Sequence, residues 1–292
     1  MAKVSCLRIG VFLSITLIFA QFSIALANEN WQLYSTIGYG GGSAYPDTFV
    51  TVNPQTGQQT QRGGQGETPY QCAIDMDPIS GFLFGVNYSD KPSIVTRIDP
   101  ITGHWTDVAS IQQGASMVFL TSLAFSPNGT LYGMSNFNTL GVINLGTDSF
   151  APIATIDVPS RSYGMDFSPQ GILYITDRDG TGETFQQWLR TIDPSTGSIT
   201  STLPTGHYNI GDIDFAPDGY IYHTNFSWWL FKLDPSTGEQ TDYDNSGGLG
   251  PFEGIASDYV PEPTTLLLLG LGWPIVSRFG KNSRLSHIQL NH

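Results

Sequence analysis

Residues 209–241 read NIGDIDFAPDGYIYHTNFSWWLFKLDPSTGEQT. Four short runs of apolar or β-favouring residues alternate with turn signals in this stretch. Ile213 to Phe215 enters the turn Ala216-Pro217-Asp218-Gly219, and Tyr220 to His223 leaves it. Trp229 to Leu233 follows a polar break. It enters a second turn, Asp234-Pro235-Ser236-Thr237-Gly238, which leads to a short polar run. Aromatic and β-branched runs with Pro and Gly only at the corners predict a four-stranded antiparallel meander.

The same unit recurs toward the N-terminus. Its strand-then-turn motif appears at Ile74–Gly81, Leu123–Gly129 and Met165–Gly171, with prolines spaced 49, 42 and 48 residues apart. The second turn recurs at Asn53-Pro54, Asp99-Pro100 and Asp193-Pro194, each followed by x-Thr-Gly. A degenerate copy lies at Asn144-Leu145-Gly146-Thr147. A period of 40–50 residues with four strands per repeat is the signature of a β-propeller. One such blade cannot bury both faces alone, whereas blades packed around an axis can. Pro fixes φ in the turns, Gly takes the positive-φ position, and the leading Asp or Asn caps backbone N–H groups.

The ends of the array predict how the ring closes. The turn at Asn53 has no first-strand motif before it, and the last turn at Asp234 is followed by Phe252-Glu253-Gly254-Ile255-Ala256-Ser257. Ile255 lies 42 residues after Ile213, within the period. Residues 252–259 therefore supply the strand missing from the N-terminal blade. The expected fold is an all-β propeller of five four-stranded blades: 70–108, 119–157, 163–203, 210–243, and a composite of 31–62 with 252–259. A sixth blade built from Trp31 to Gly66 is the alternative.

Composition agrees with an all-β chain rich in tight turns. Of 292 residues, 33 are Gly, 18 are Pro, and only 13% are charged, which argues against a helical bundle. Between Arg8 and Arg278 lie seven basic residues and all 25 acidic ones, a net of −18. Such a surface repels nucleic acid and anionic lipid headgroups, suits a soluble extracellular protein, and attracts divalent cations weakly.

The two ends carry addresses. Lys3 and Arg8 precede the apolar run Ile9 to Ala20, and Ala25-Leu26-Ala27 offers a small-x-small cleavage pattern. Residues 1–27 read as a signal peptide with Asn28 as the mature N-terminus. A retained membrane anchor is the bland alternative, but the apolar run is short for it. With Cys6 removed, Cys72 is left single and is expected as a small buried hydrophobe.

At the other end stand Val260-Pro261-Glu262-Pro263, a Thr pair, a Leu- and Gly-rich run of about 13 residues, and then Arg278, Lys281 and Arg284. This order closely resembles the PEP-CTERM sorting signal of bacterial exported proteins, across residues 260–284. The resemblance implies recognition by an exosortase-type transpeptidase, cleavage near Pro261-Glu262-Pro263, and release or attachment at the cell surface. Pro274 interrupts the apolar run, and a polar tail, 285–292, follows. The simpler alternative is a plain C-terminal anchor with its positive charges held inside. The apolar run is short for that role also.

Candidate chemistry converges on the first strands. Asp75, Asp166 and Asp214 occupy matching positions, with Ala124 and Ala256 in the other two repeats, while Asp212 and Glu253 lie just upstream. Carboxylates gathered on an axis could hold Ca²⁺ or act as acid and base in glycoside cleavage. The Phe252-Glu253-Gly254-Ile255 run is similar to the Glu-Gly blade openings of calcium-dependent sugar lactonases, which implies a hydrolase or lyase alternative. The competing expectation is structural: a repeated Asp caps the adjacent turn or pairs with the next blade, whereas catalytic sets are asymmetric. His104, His207 and His223 fall on different repeats, which disfavours a zinc site. Gly38 to Gly42 lacks the Lys and helix of a phosphate loop. Trp228, Trp229, Tyr220 and Tyr222 could stack on sugar, but their strand spacing fits inter-blade core. The expected function is an exported binding protein for a glycan or protein, with no catalytic residue assigned.

Overall fold

In the computed structural model the described residues are 31–38, 48–64, 72–86, 93–160, 162, 164–180, 186–206, 210–225, 229–243 and 249–258. The expected signal peptide, the sorting residues Val260, Pro261, Glu262, Pro263 and Arg278, and also His207 and Trp228, lie outside them.

The described chain is all β and forms five antiparallel blades. The first blade comprises β4 (Ala73–Met76), β5 (Leu83–Val86), β6 (Ile94–Ile98) and β7 (Trp105–Ser110). The second runs β10 (Leu120–Phe125), β11 (Leu131–Ser135), β12 (Thr139–Asn144) and β13 (Ser149–Thr155). A hairpin of β8 (Gln112–Gln113) and β9 (Ser116–Met117) bridges onto β13 at Ser149. The third is β14 (Met165–Phe167), β15 (Leu173–Asp179), β16 (Gln186–Ile192) and β17 (Ile199–Thr205). The fourth is β18 (Ile213–Phe215), β19 (Ile221–Thr224), β20 (Leu230–Leu233) and β21 (Gln240–Tyr243).

The fifth blade is the composite one. Its order is β22 (Phe252–Ser257), β1 (Leu33–Ile37), β2 (Thr48–Val52) and β3 (Gln59–Arg62). β22 pairs antiparallel with β1, Leu33 facing Ser257 and Tyr34 facing Ala256, with a register shift between Ser35 and Ile37. The ring is thus closed by hydrogen bonds between residues more than 200 positions apart, and the sixth-blade alternative is set aside. The innermost strands β4, β10, β14, β18 and β22 contact one another in that order, and β22 returns to β4.

Five apolar clusters fill the five gaps between blades. One sets Phe84 and Val86 against Leu123 and Phe125. The next sets Ala124 and Leu140 against Phe167 and Ile175. The third joins Tyr174 and Leu189 to Ile213 and Leu233; the fourth joins Tyr222 and Leu230 to Leu33 and Phe252. The fifth returns Tyr34 and Phe49 to Ile74 and Leu83. Strand alternation sends one apolar set to each neighbour, so both faces of every blade are buried.

The second turns share one geometry. Gly57, Gly103, Gly197 and Gly238 all have positive φ, and the leading Asn or Asp accepts N–H groups two and three residues on. In the degenerate copy the corresponding position is Asp148, which takes φ 52° itself. The turn survives without its glycine because a short polar side chain tolerates the left-handed region.

Candidate functional site

The innermost strand of each blade has one edge paired to its second strand and one edge facing the axis. N–H groups on the free edge need acceptors, and the aspartates supply them. Asp75 Oδ1 accepts the N–H of Met76 at 2.6 Å, and its Oδ2 accepts that of Phe125 in the next blade at 2.5 Å. Asp166 repeats this with Phe167 at 2.6 Å and Phe215 of the next blade at 2.5 Å. Asp214 Oδ1 accepts the N–H of Ser257 at 2.8 Å, again one blade on. Each aspartate thus ties its own blade to its successor.

The register places an aromatic beside each carboxylate. Asp75 faces Phe84, Asp166 faces Tyr174 and Asp214 faces Tyr222 across the first hairpin. Phe84 then packs on Phe125, and Tyr174 on Phe215, with centroids 5.3 and 5.6 Å apart. Tyr132 keeps the aromatic contact to Phe167 at 5.1 Å, although its cross-strand partner is Ala124. Among the described residues the aromatic contact and the carboxylate bond each span three blade joints, and they coincide at two.

Asp212 is the exception in the pattern. The equivalent positions in the other repeats hold Ala73, Ser122, Gly164 and Gly254. Asp212 Oδ2 accepts the N–H groups of Ile74 and Ile255, both at 3.0 Å, and so joins the fourth blade to the composite and first blades. The neighbouring glycines make room: a Cβ on Gly254 would lie 3.0 Å from Ile74 N, and one on Gly164 2.9 Å from Gly211 O. Glu253 is also buried, and its carboxyl rests where a Cβ of Gly38 would stand. Its carbonyl accepts the Thr224 hydroxyl at 2.6 Å.

All four aspartates are buried, and burial is the largest influence on each. It pushes the Asp75, Asp166 and Asp212 carboxyls well above the usual range, and Asp214 to about 6. The negative charge of Asp214 raises Asp75 further, and Asp75 does the same to Asp166 and Asp212. The backbone N–H bonds pull the other way. One oxygen each of Asp212 and Asp214 has no partner among the described residues, which leaves a site for a proton on each. Among the described residues no three His, Cys, Asp or Glu side chains gather as metal ligands.

Of the remaining candidates, His223, Cys72 and Tyr222 are buried in the packing, whereas Tyr220 and Trp229 are exposed and not inter-blade core. His223 is buried, stacks on Phe231 at 4.7 Å and touches Gln240, while His104 is exposed. The Cys72 thiol is buried and donates to the Val86 carbonyl at 3.2 Å. Tyr222 lies in the core, and the face of Tyr220 is taken by the Lys232 ammonium 3.9 Å from the ring centre.

A feature that the repeat pattern does not bring out is a cleft of about 330 Å³ on the composite blade, between Trp31 and the Asn53–Arg62 hairpin. Its sequence signal is the acid-free run NPQTGQQTQR at 53–62, where the turn begins with Asn53 in place of Asp.

No protein-family model and no curated protein matches the chain. Among solved structures it is similar to a chain of a nidogen/laminin complex, with a TM-score of 0.52 at 10% identity, over 79% of this chain and 99% of that one. TolB from Acinetobacter baumannii gives 0.48 at 12% identity, over 78% and 66%. At such identities the first likeness speaks for the propeller fold alone.

Proposed function

We propose that the chain is an exported bacterial binding protein, sorted at the cell surface and without catalysis of its own. Residues 1–27 act as the signal peptide. Residues 260–284 act as the PEP-CTERM signal, handled by an exosortase-type transpeptidase and embedded in the membrane only until that step. The propeller is the mature working part, and it presents loops and clefts to a glycan or protein ligand.

One observation carries the non-catalytic part of this reading. The carboxylates that the repeats bring together are buried and bound to backbone N–H groups of adjacent blades. A general acid or a Ca²⁺ ligand needs an oxygen directed at solvent or substrate; the bonded oxygens hold the ring together, and the second oxygens of Asp212 and Asp214 are buried. The address part rests on the ordered motif Val260-Pro261-Glu262-Pro263, apolar run and basic stop.

Mass spectrometry of the protein recovered from its host tests the address. Asn28 is expected as the first residue, with no peptide beyond about Pro263. Recovery of an intact Leu266–Arg278 segment would overturn it. Incubation with sugar lactones, with and without Ca²⁺, should leave the substrates unchanged, and turnover would refute the non-catalytic reading.

A further inference from the structure

We propose that the cleft on the composite blade is a binding site for an anionic polysaccharide, with Arg62 taking a sugar carboxylate and the amides of the 53–58 turn taking hydroxyls. This rests on the reading of the propeller as a binding body, and it gives that body a site and a ligand class.

The first argument is charge. The chain between Arg8 and Arg278 carries a net of −18, yet among the nine described residues lining the cleft none is acidic, and one, Arg62, is a cation. The three other Pro-Thr-Gly turns begin with Asp99, Asp193 and Asp234. Each of these carboxylates is turned back onto its own turn. Asn53 makes the same turn with Oδ1 alone, accepting Gln55 N at 2.9 Å and Thr56 N at 3.0 Å. Its Nδ2 is left as a donor instead of a second anionic oxygen. The turn of the composite blade thus lacks the carboxylate that its sister turns carry, and the adjacent Asp258 carboxylate is engaged by the Gln32 N–H at 2.6 Å, so an anion meets the Arg62 cation with no acid among the described lining residues.

The second argument is chemistry and shape. A volume of about 330 Å³ falls in the range of small-ligand sites. The side chains of Gln55, Gln58 and Arg62 are exposed and make no hydrogen bond among the described residues. Amides both donate and accept, which matches the hydroxyls of a sugar ring, and a guanidinium pairs with carboxylate in two-pronged fashion. Among the described lining residues only Trp31 and Pro54 are apolar, fewer than the desolvated cluster of anchors a protein partner engages.

The third argument is that the frame is already set. Gln32 Nε2 is tied to the carbonyls of Leu33 and Val52 at 3.1 and 2.9 Å. Trp31, at the mouth, is held edge-on by the buried Tyr222, with centroids 5.5 Å apart. Only the ligand-facing amides and Arg62 have to be ordered on binding, which keeps the entropic cost low.

The test is calorimetric titration of the full chain with oligogalacturonate of defined length and, separately, with neutral dextran. Binding to the uronate alone is expected, weakening as salt is raised. Arg62→Ala should reduce affinity at least tenfold and Gln58→Ala about threefold, with unchanged thermal unfolding. Arg62→Lys should retain part of the affinity. Equal affinity of wild type and Arg62→Ala, equal binding of dextran, or no binding of either polymer overturns the inference and leaves the binding-protein reading standing. Chromatography of the titrated samples separates the two: shortened oligomers would refute the non-catalytic reading even where Arg62 proves to hold the ligand.

Discussion

The carboxylate of Asp75 accepts the backbone N–H of Phe125 at 2.5 Å, across 50 residues of chain and from one blade to the next. The same relation joins Asp166 to Phe215 and Asp214 to Ser257. A repeated acid on a first strand is therefore a joint between blades, and several consequences follow for stability.

Asp75→Ala orphans two buried donors, Met76 N and Phe125 N. Each orphaned donor costs about 1–3 kcal/mol, so a loss on the order of 2–6 kcal/mol is expected in urea unfolding. Asp75→Asn keeps one carbonyl oxygen and should lose less. Equal midpoints for wild type and Asp75→Ala would contradict the joint.

Stability should fall as pH rises. The Asp214 carboxyl is lifted from 3.8 to about 6, by burial above all and also by Asp258 and Asp218, while the hydrogen bond from the Ser257 N–H opposes the rise. The folded state then holds its proton more tightly than the unfolded chain. The resulting stabilisation is complete below about 3.8 and is lost as pH rises through about 6, on the order of 3 kcal/mol for a shift of this size. Asp75, Asp166 and Asp212 shift in the same direction. Thermal midpoints taken between pH 4 and 8 should decline, and Asp214→Asn should flatten the slope. A midpoint that climbs across this window would sink the account.

Gly254→Val should weaken ring closure. Its Cβ alone would stand 3.0 Å from Ile74 N and 3.1 Å from two Ile74 side-chain carbons, so the first blade and the closing strand must separate. Overpacking of this kind costs about 1–3 kcal/mol. A more drastic version ends the chain before Phe252. That leaves Asp212 without Ile255 N, Asp214 without Ser257 N, and β1 with an open edge. Loss of the cooperative unfolding transition is expected, measured by circular dichroism against temperature.

Asp148→Gly should stabilise the second blade. Asp148 has φ 52° at the position where four sister turns carry glycine. Relief of that conformation is expected to add about 0.5–1 kcal/mol in chemical denaturation. An unchanged or lower midpoint would show that the Asp148 side chain offsets its own strain.

The repeat was legible because its physics is local. Pro and Gly at fixed offsets mark turns, and the period of 40–50 residues counts blades. The gap before Asn53 pointed to a strand in 252–259, and β22 within it does pair with β1. The β8–β9 hairpin was not foreseen, since Gln112, Gln113 and Ser116 are polar and carry no strand signal.

For the acids, the sequence by itself determined that Asp75, Asp166 and Asp214 recur at one position. It left open whether their oxygens meet a ligand, a metal or the protein. The tertiary structure decided where one oxygen of each goes, because the N–H groups that take them are brought within 3 Å by the next blade and lie 43 to 50 residues away. The cleft at Arg62 shows the same division. The acid-free run was present in the sequence, but a void has no sequence signature. It exists only where the folded hairpin and Trp31 fail to fill the space between them.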